Sequence, residues 1–303
     1  MAIKKYLQVI FFISTALIAL IPCTLYAGNY IVDKRIICLA PNLTEICYAL
    51  GLEKNIVAVT DNCKYPKQVK EKPSIGTEKN LTIEKIIQYH PNLIISSARV
   101  NDPQQIHQLI MHGFSVIITS NDTIDEIFRT IKLIGHETDA ESKAQQLLDF
   151  MKNRMAQIKS ISENYPKQRV LVVLNTDPVI TSQRGSIIDQ LIRVAGGDNI
   201  GASPDIATPF PDLAQLIAYN PEVILELSMD DSSDTSAIDS VYQRWARWKN
   251  TPAVKLGRIY VIPASPLFSG SPRLIEGLEM IAAALYPEKS KELLRSEVKQ
   301  FFE

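Results

Sequence analysis

The side chains of this chain that could contact a ligand are mostly hydrogen-bonding groups set singly in loops after apolar runs, a pattern suited to holding a small molecule. In the first half these are Pro41, Asn42, Asn62, Tyr65, Thr77, Glu78, Ser97 and Arg99; in the second they are Asn175, Thr181, Ser186, Ser265, Phe268 and Ser269. Catalytic spacings are missing. The four histidines, His90, His107, His112 and His136, form no His-Glu-x-x-His pair, and His107 and His112 do not share a helix face. There is no Gly-x-Ser-x-Gly elbow, no Walker loop and no dinucleotide-binding glycine fingerprint. The expectation is a binding protein that is not an enzyme and holds no metal and no cofactor of its own.

Several of these residues also read as plain structure. Asn42 at a helix start suits capping as well as it suits presenting free amide hydrogens to an anionic or carbonyl group. Tyr65 beside Pro66 is either a turn-packing ring or a ligand contact. Arg99 suits a phosphate or carboxylate, and equally a solvated loop. Trp245 and Trp248 share one helical face and read as core anchors. Asp230, Asp231 and Asp234 lie in a Ser-rich run without the regular ligand pattern of a calcium loop, and read as solvated. Cys38 reads as strand core and Cys47 as helix core, with a Cys47–Cys63 bridge left open.

The elements that must position these residues centre on one long helical pattern, Thr138 to Tyr165. Ala140, Ala144, Leu147, Leu148, Met151, Met155, Ile158 and Ile161 recur at spacings of three and four, one apolar helical face. Thr138 followed by Glu141 reads as a capping box, His136-Glu137 as part of the helix start, and Pro166 as the stop. At ~1.5 Å per residue such a helix spans roughly 39 Å, a rigid strut between two lobes. On both sides of it, short apolar strands alternate with helical patterns, which predicts α/β lobes with mainly parallel sheets. The expected domains are a leader over residues 1–27, an N-terminal lobe over 28–137, the connecting helix over 138–165 and a C-terminal lobe over 166–303, closed by helices over 274–285 and 289–301.

The two lobes also repeat one another. Ile83-Glu84-Lys85-Ile86-Ile87-Gln88-Tyr89-His90-Pro91-Asn92-Leu93-Ile94 lies over Leu213-Ala214-Gln215-Leu216-Ile217-Ala218-Tyr219-Asn220-Pro221-Glu222-Val223-Ile224 at a constant offset of 130 positions. Two related α/β lobes leave a cleft between them, beyond the carboxyl ends of their strands, where ligands sit.

The N-terminus reads as an export signal: Lys4 and Lys5, an apolar run from Tyr6 to Ile21, then Pro22 and a cleavable Ala27. The run is shorter than the ~20 residues a membrane-spanning helix needs. Pro22 stands where lipid attachment at Cys23 would want a small residue, so a soluble periplasmic protein is favoured over a lipidated one. Apolar residues make up 46% of the chain and charged ones 21%, which describes a globular core. Of 32 basic residues the leader holds Lys4 and Lys5 and no acids, so the remainder carries 33 acids and a small net negative charge. No basic field for nucleic acid exists.

Arg35-Ile36-Ile37-Cys38-Leu39-Ala40-Pro41-Asn42-Leu43-Thr44-Glu45 resembles the opening of the periplasmic-binding proteins with a helical backbone, which serve ABC importers of cobalamin, ferric siderophores and haem. Ile56-Val57-Ala58-Val59-Thr60-Asp61-Asn62-Cys63-Lys64-Tyr65-Pro66 is most similar to the cobalamin-binding branch. The likeness continues through the Tyr-x-Pro repeats, Ala195-Gly196-Gly197-Asp198-Asn199 and Ser271-Pro272-Arg273. It implies two lobes with little closure, a ligand such as cobalamin (or, as the alternative, a ferric siderophore or haem) in the cleft, and delivery to a membrane permease by a monomer. Readings as an exported metal-dependent enzyme or a non-transport adaptor stand behind these. Where the cobalamin branch often walls its cleft with aromatics, this chain has Asn62 and Glu78, and the opposing lobe offers Ile180 and Phe268. The resemblance also implies one permease-docking glutamate on each lobe. Glu84 matches the first, while Ala214 occupies the second place and leaves Asp212 as the nearest acid.

Overall fold

The computed structural model describes residues 34–206, 208, 210–229 and 235–302. The expected leader and Asp230, Asp231 and Asp234 lie outside the described residues. The first lobe runs β1 (Ile36–Cys38), α1 (Pro41–Ala49), β2 (Ile56–Val59), β3 (Gly76–Thr77), β4 (Asn80–Leu81), α2 (Ile83–Gln88), β5 (Leu93–Ser97), α3 (Pro103–Met111), β6 (Val116–Thr119) and α4 (Ile124–Glu137). The connecting helix, α5 (Glu141–Ser162), follows. The second lobe runs β7 (Gln168–Thr176), β8 (Val179–Thr181), α6 (Ile187–Val194), β9 (Gly197–Asn199), α7 (Leu213–Ala218), β10 (Val223–Ser228), α8 (Thr235–Trp245), α9 (Pro252–Lys255), β11 (Ile259–Pro263), α10 (Ser265–Phe268), α11 (Leu274–Leu285) and α12 (Ser290–Leu293).

Each lobe is built on a parallel sheet. The order is β2-β1-β5-β6 in the first and β11-β10-β7 in the second, where β9 pairs in parallel with the start of β7 and β8 pairs antiparallel with its end. Read in corresponding order, β9-β7-β10-β11 repeats β2-β1-β5-β6. The sequence repeat is therefore a repeat of topology, and it extends to side chains. His90 and Asn220, each before a proline, both take positive φ (45° and 51°). Arg35 donates through Nε to the carbonyl of His90, and Arg169 through Nε to that of Asn220. The backbone amide of Arg35 donates to Asn92 Oδ1 at 2.8 Å and that of Arg169 to Glu222 Oε2 at 2.9 Å, tying each strand start to the same corner of its lobe.

The central strands β1, β5 and β10 are buried on both faces, as parallel strands covered by helices must be. Ile37, Ala58 and Ile94 face an outer cluster in the first lobe; Leu171, Val173 and Ile224 do the same in the second. The opposite faces, with Ile36, Cys38 and Ile95 on one side and Val170, Val172 and Leu225 on the other, join one continuous apolar core that runs through Leu147, Met151 and Ile158 of α5. A shared core of this kind resists hinge motion between the lobes.

The connecting helix starts later than the spacing predicts. Thr138 does not cap it: its hydroxyl donates back to the Ile134 carbonyl at 2.6 Å, closing α4. Asp139 then takes φ of 56° and breaks the chain direction, so His136 and Glu137 end α4 and α5 spans 22 residues from Glu141. The capping box with both reciprocal bonds is at Thr123 and Glu126. Gly135 lets the two helices close on each other, since a Cβ there would lie 2.5 Å from that of Ala144. The expected last helix over 289–301 is broken too: α12 is one turn, Ser296 has φ of 52°, and a 3-10 turn carries Glu297–Phe301. Gly197 begins strand β9.

Candidate functional site

A cavity of about 840 Å³ lies between the lobes, a size suited to a small molecule. Its first wall is made where strands of the first lobe end. Pro41 and Asn42 follow β1 and form the first turn of α1, so Asn42 sits inside the helix and Ala40 is the residue before it. Asn62 follows β2, Ser97 ends β5 and Arg99 follows it, and Asn121 and Asp122 follow β6. Thr77, Glu78 and Lys79 come from the tight turn of the β3–β4 hairpin. The second wall is Leu174 of β7, Ile180 and Thr181 of β8, the segment through Ser182 and Gln183 to Ser186, Ile187 and Ile188 of α6, and Leu267, Phe268, Ser269 and Gly270. The N-termini of α1 and α6 both reach the cavity, bringing the positive ends of two helix dipoles to it.

Eleven of the fourteen residues expected to contact ligand line this cavity; Tyr65, Asn175 and Ser265 do not. Tyr65 is turned into the molecule, with its ring edge-on to Phe302 at 5.0 Å and the Arg273 guanidinium 4.0 Å from its face. Asn175 spends its amide on the carbonyls of Asp177 and Pro178, closing the β7–β8 turn. Ser265 accepts from Arg273 Nη1 at 3.1 Å. Thr181 and Ser186 line the cavity with hydroxyls already used: Thr181 donates to the Val172 carbonyl, and Ser186 caps α6 by accepting from the Asp189 amide. Asn121, Asp122 and Gln183 were missed by the sequence reading. Asn121 and Asp122 follow an apolar run as the others do, and the same rule applied to Val116–Thr119 finds them.

The departure from an aromatic wall is itself organised. Glu78 Oε2 accepts from Asn62 Nδ2 at 2.7 Å and its Oε1 from Thr60 Oγ1 at 2.9 Å. Its backbone carbonyl accepts from Asn101 Nδ2, which also donates to Leu39, while Asn101 Oδ1 receives the Ser97 amide. Asn101 thus locks the hairpin tip to the ends of β1 and β5. Arg99 is paired with Asp122 at the rim, with its side chain 70% exposed.

Behind the cavity, the lobes are bolted together. Asn121 Nδ2 donates to the Gly270 carbonyl at 2.7 Å, and Gln190 Oε1 accepts from the Ile124 amide. Ser271 Oγ donates to Glu45 Oε2 at 2.5 Å, and Arg273 Nη1 lies 3.5 Å from Glu45 Oε1. Burial pushes the Glu45 carboxyl up to about 7, against the pull of Arg273 and Ser271. Burial also raises Glu276, which faces Arg273 from α11. Trp245 is buried with its indole donating to Glu226, in line with an anchor, and Trp248 packs half-buried beside that cluster. Glu84 and Asp212 are exposed at the starts of α2 and α7, where Asp212 Oδ1 caps its helix by accepting from the Ala214 amide. Among the described residues no cluster of His, Cys, Asp and Glu could hold a metal ion.

The profile of the family described as periplasmic binding protein matches residues 36–266. An uncharacterized ABC transporter substrate-binding lipoprotein of Bacillus subtilis, YvrC, is 32% identical over 86% of this chain and 82% of its own. The solved periplasmic vitamin B12-binding protein BtuF of Vibrio cholerae is 27% identical, with a TM-score of 0.70 over 84% of this chain and 98% of that one. The periplasmic haem-binding protein RhuT of Roseiflexus is 25% identical, with a TM-score of 0.70 over 84% and 98%.

Proposed function

The chain belongs to the periplasmic binding protein family, and on that premise we propose that it is the exported substrate-binding protein of an ABC importer whose ligand is cobalamin or a related corrinoid. The observation that carries the ligand is the chemistry of the cleft wall. Its charges balance, Glu78 and Asp122 against Lys79 and Arg99, and most of its other polar groups are neutral amides and hydroxyls. A corrinoid is rich in carboxamides and brings its cobalt already ligated. Haem iron takes His, Cys, Met or Tyr from its protein, and no described residue lining the cavity is of these types. Leu174, Ile180, Ile187 and Phe268 supply the apolar face that a macrocycle needs.

The likeness to the Vibrio cholerae protein supports the corrinoid. That to the Roseiflexus protein supports the second reading, haem or a ferric siderophore, which would engage Lys79 and Arg99. The leader over residues 1–27 carries the chain to the periplasm, where it works as a monomer and does no chemistry on its ligand. Glu84 and Asp212 each present a carboxylate to basic residues of the permease. Titrating the purified protein with cyanocobalamin by calorimetry tests the reading, with haem and a ferric siderophore in parallel. Saturation at one corrinoid per chain is expected. Saturation by haem or the ferric chelate alone moves the ligand to the second reading, and no heat from any of the three removes the ligand assignment.

A further inference from the structure

Cys38 closes β1 and Cys47 lies in the last turns of α1, and both are fully buried. Their sulfur atoms are 3.6 Å apart, in van der Waals contact, whereas the sequence left only a Cys47–Cys63 bridge open. Cys63 is engaged elsewhere: its sulfur lies 3.2 Å from Thr44 Oγ1 and 3.3 Å from Thr60 Oγ1. We propose that Cys38 and Cys47 form a disulfide in the exported protein, with Cys63 left as the free thiol. This rests on the export reading, because cytosolic thiols are kept reduced while those of the periplasm meet disulfide oxidants.

The chemistry is thiol–disulfide exchange with a donor disulfide, either that of an oxidoreductase or glutathione disulfide. One cysteine thiolate attacks the donor, giving a mixed disulfide, and the second displaces the donor sulfur. The two electrons and two protons of the cysteine thiols end on the donor, which leaves as a dithiol or as two thiols. Both sulfurs are sealed in the core, so the exchange takes place before α1 packs on β1. The bond would tie the end of β1 to α1 across Ala40, Pro41 and Asn42, and so hold the first wall of the cavity in place. Ten residues close the loop, short enough that the two thiols meet early in folding.

The sequence makes the test direct. Trypsin releases Cys38 and Cys47 within one peptide, residues 36–54, and Cys63 in the next, residues 55–64. The full-length precursor is expressed in a Gram-negative host, and envelope and cytoplasmic fractions are trapped with N-ethylmaleimide under denaturing conditions and mapped by mass. The expected result is an envelope protein whose 36–54 peptide lacks two hydrogens and carries no label, and stays in one piece when cut after Glu45 until it is reduced. Cys63 is labelled. Full labelling of Cys38 and Cys47 in the envelope protein overturns the inference. If the chain stays in the cytoplasm, the export reading fails, and unfolding followed by refolding in a glutathione redox buffer decides the geometry. Formation of the 38–47 bond there supports it, and labelling of both thiols overturns it. The Cys63→Ala variant is expected to form the same bond, and transfer of the bond to a Cys63 pairing in the unsubstituted protein would also overturn the assignment.

Discussion

Glu78 is held by Thr60 and Asn62 through one lone pair on each carboxylate oxygen, which leaves acceptor capacity turned to the cavity. A charge-assisted hydrogen bond to a carboxamide contributes roughly 1.5–3 kcal/mol. Glu78→Ala is therefore expected to weaken corrinoid binding by about ten- to a hundredfold, read by calorimetry; an unchanged affinity would take Glu78 out of the contact set. Glu45 makes a different prediction, about pH. An unfolded glutamate ionises near 4.5 and the folded one near 7, so between these values the native state holds a proton that the unfolded chain has released. Stability then falls as pH rises through that window, by on the order of 3 kcal/mol at most, and the slope vanishes outside it. Thermal melts across the window should show this decline for the natural protein and a flatter profile for Glu45→Gln. Equal slopes would mean that Arg273 and Ser271 offset the burial completely.

At the scale of elements, α5 carries a buried charge on its apolar stripe. Arg154 is 2% exposed, on the same stripe as Leu147, Met151 and Ile158. Its Nε donates to Glu279 Oε1 of α11 at 2.7 Å and its Nη2 to the Leu293 carbonyl at 2.6 Å. Spacings of four, three and four place Arg154 on the apolar face, so the position was legible; the partner, 125 residues away, was not. Removing one member of a buried pair strands the other charge and costs about 3–5 kcal/mol. Arg154→Met should lose about that much in urea unfolding, and the added Glu279→Leu change should recover a large part. A loss below about 1 kcal/mol would place the pair with ordinary surface bridges. The false capping box has a similar lesson. Thr138 and Glu141 satisfy the local pattern as well as Thr123 and Glu126 do, but the Thr138 hydroxyl is drawn back to the Ile134 carbonyl and Asp139 takes positive φ, so only the second pair caps a helix.

For the whole molecule, one continuous core and the Asn121–Gly270, Gln190–Ile124 and Glu45–Ser271 bonds join the lobes, which argues against a free hinge between them. Under the proposed importer role, Glu84 and Asp212 are the acids that would meet the permease. Glu84→Lys and Asp212→Lys, separately and together, are expected to cut ligand uptake in cells while leaving calorimetric affinity unchanged. Asp212 also caps α7, so Asp212→Asn, which keeps a capping side chain, separates lost charge from a frayed helix. Uptake at the natural rate with both charges reversed would remove these residues from the docking surface.

The alternation of strands and helices, the offset of 130 and the cleft between related lobes were written in the sequence, because hydrophobic period and chain punctuation act over a few residues. About half of the cavity wall followed from the rule that loops after strands open onto one end of a sheet. Tyr65, Asn175 and Ser265 obeyed that rule in sequence and failed it in space. The ring, amide and hydroxyl found partners in Phe302, the β7–β8 turn and Arg273, which only chain packing brings near. Contacts between residues as far apart as Glu45 and Ser271 depend on where two lobes meet, and no local pattern encodes that.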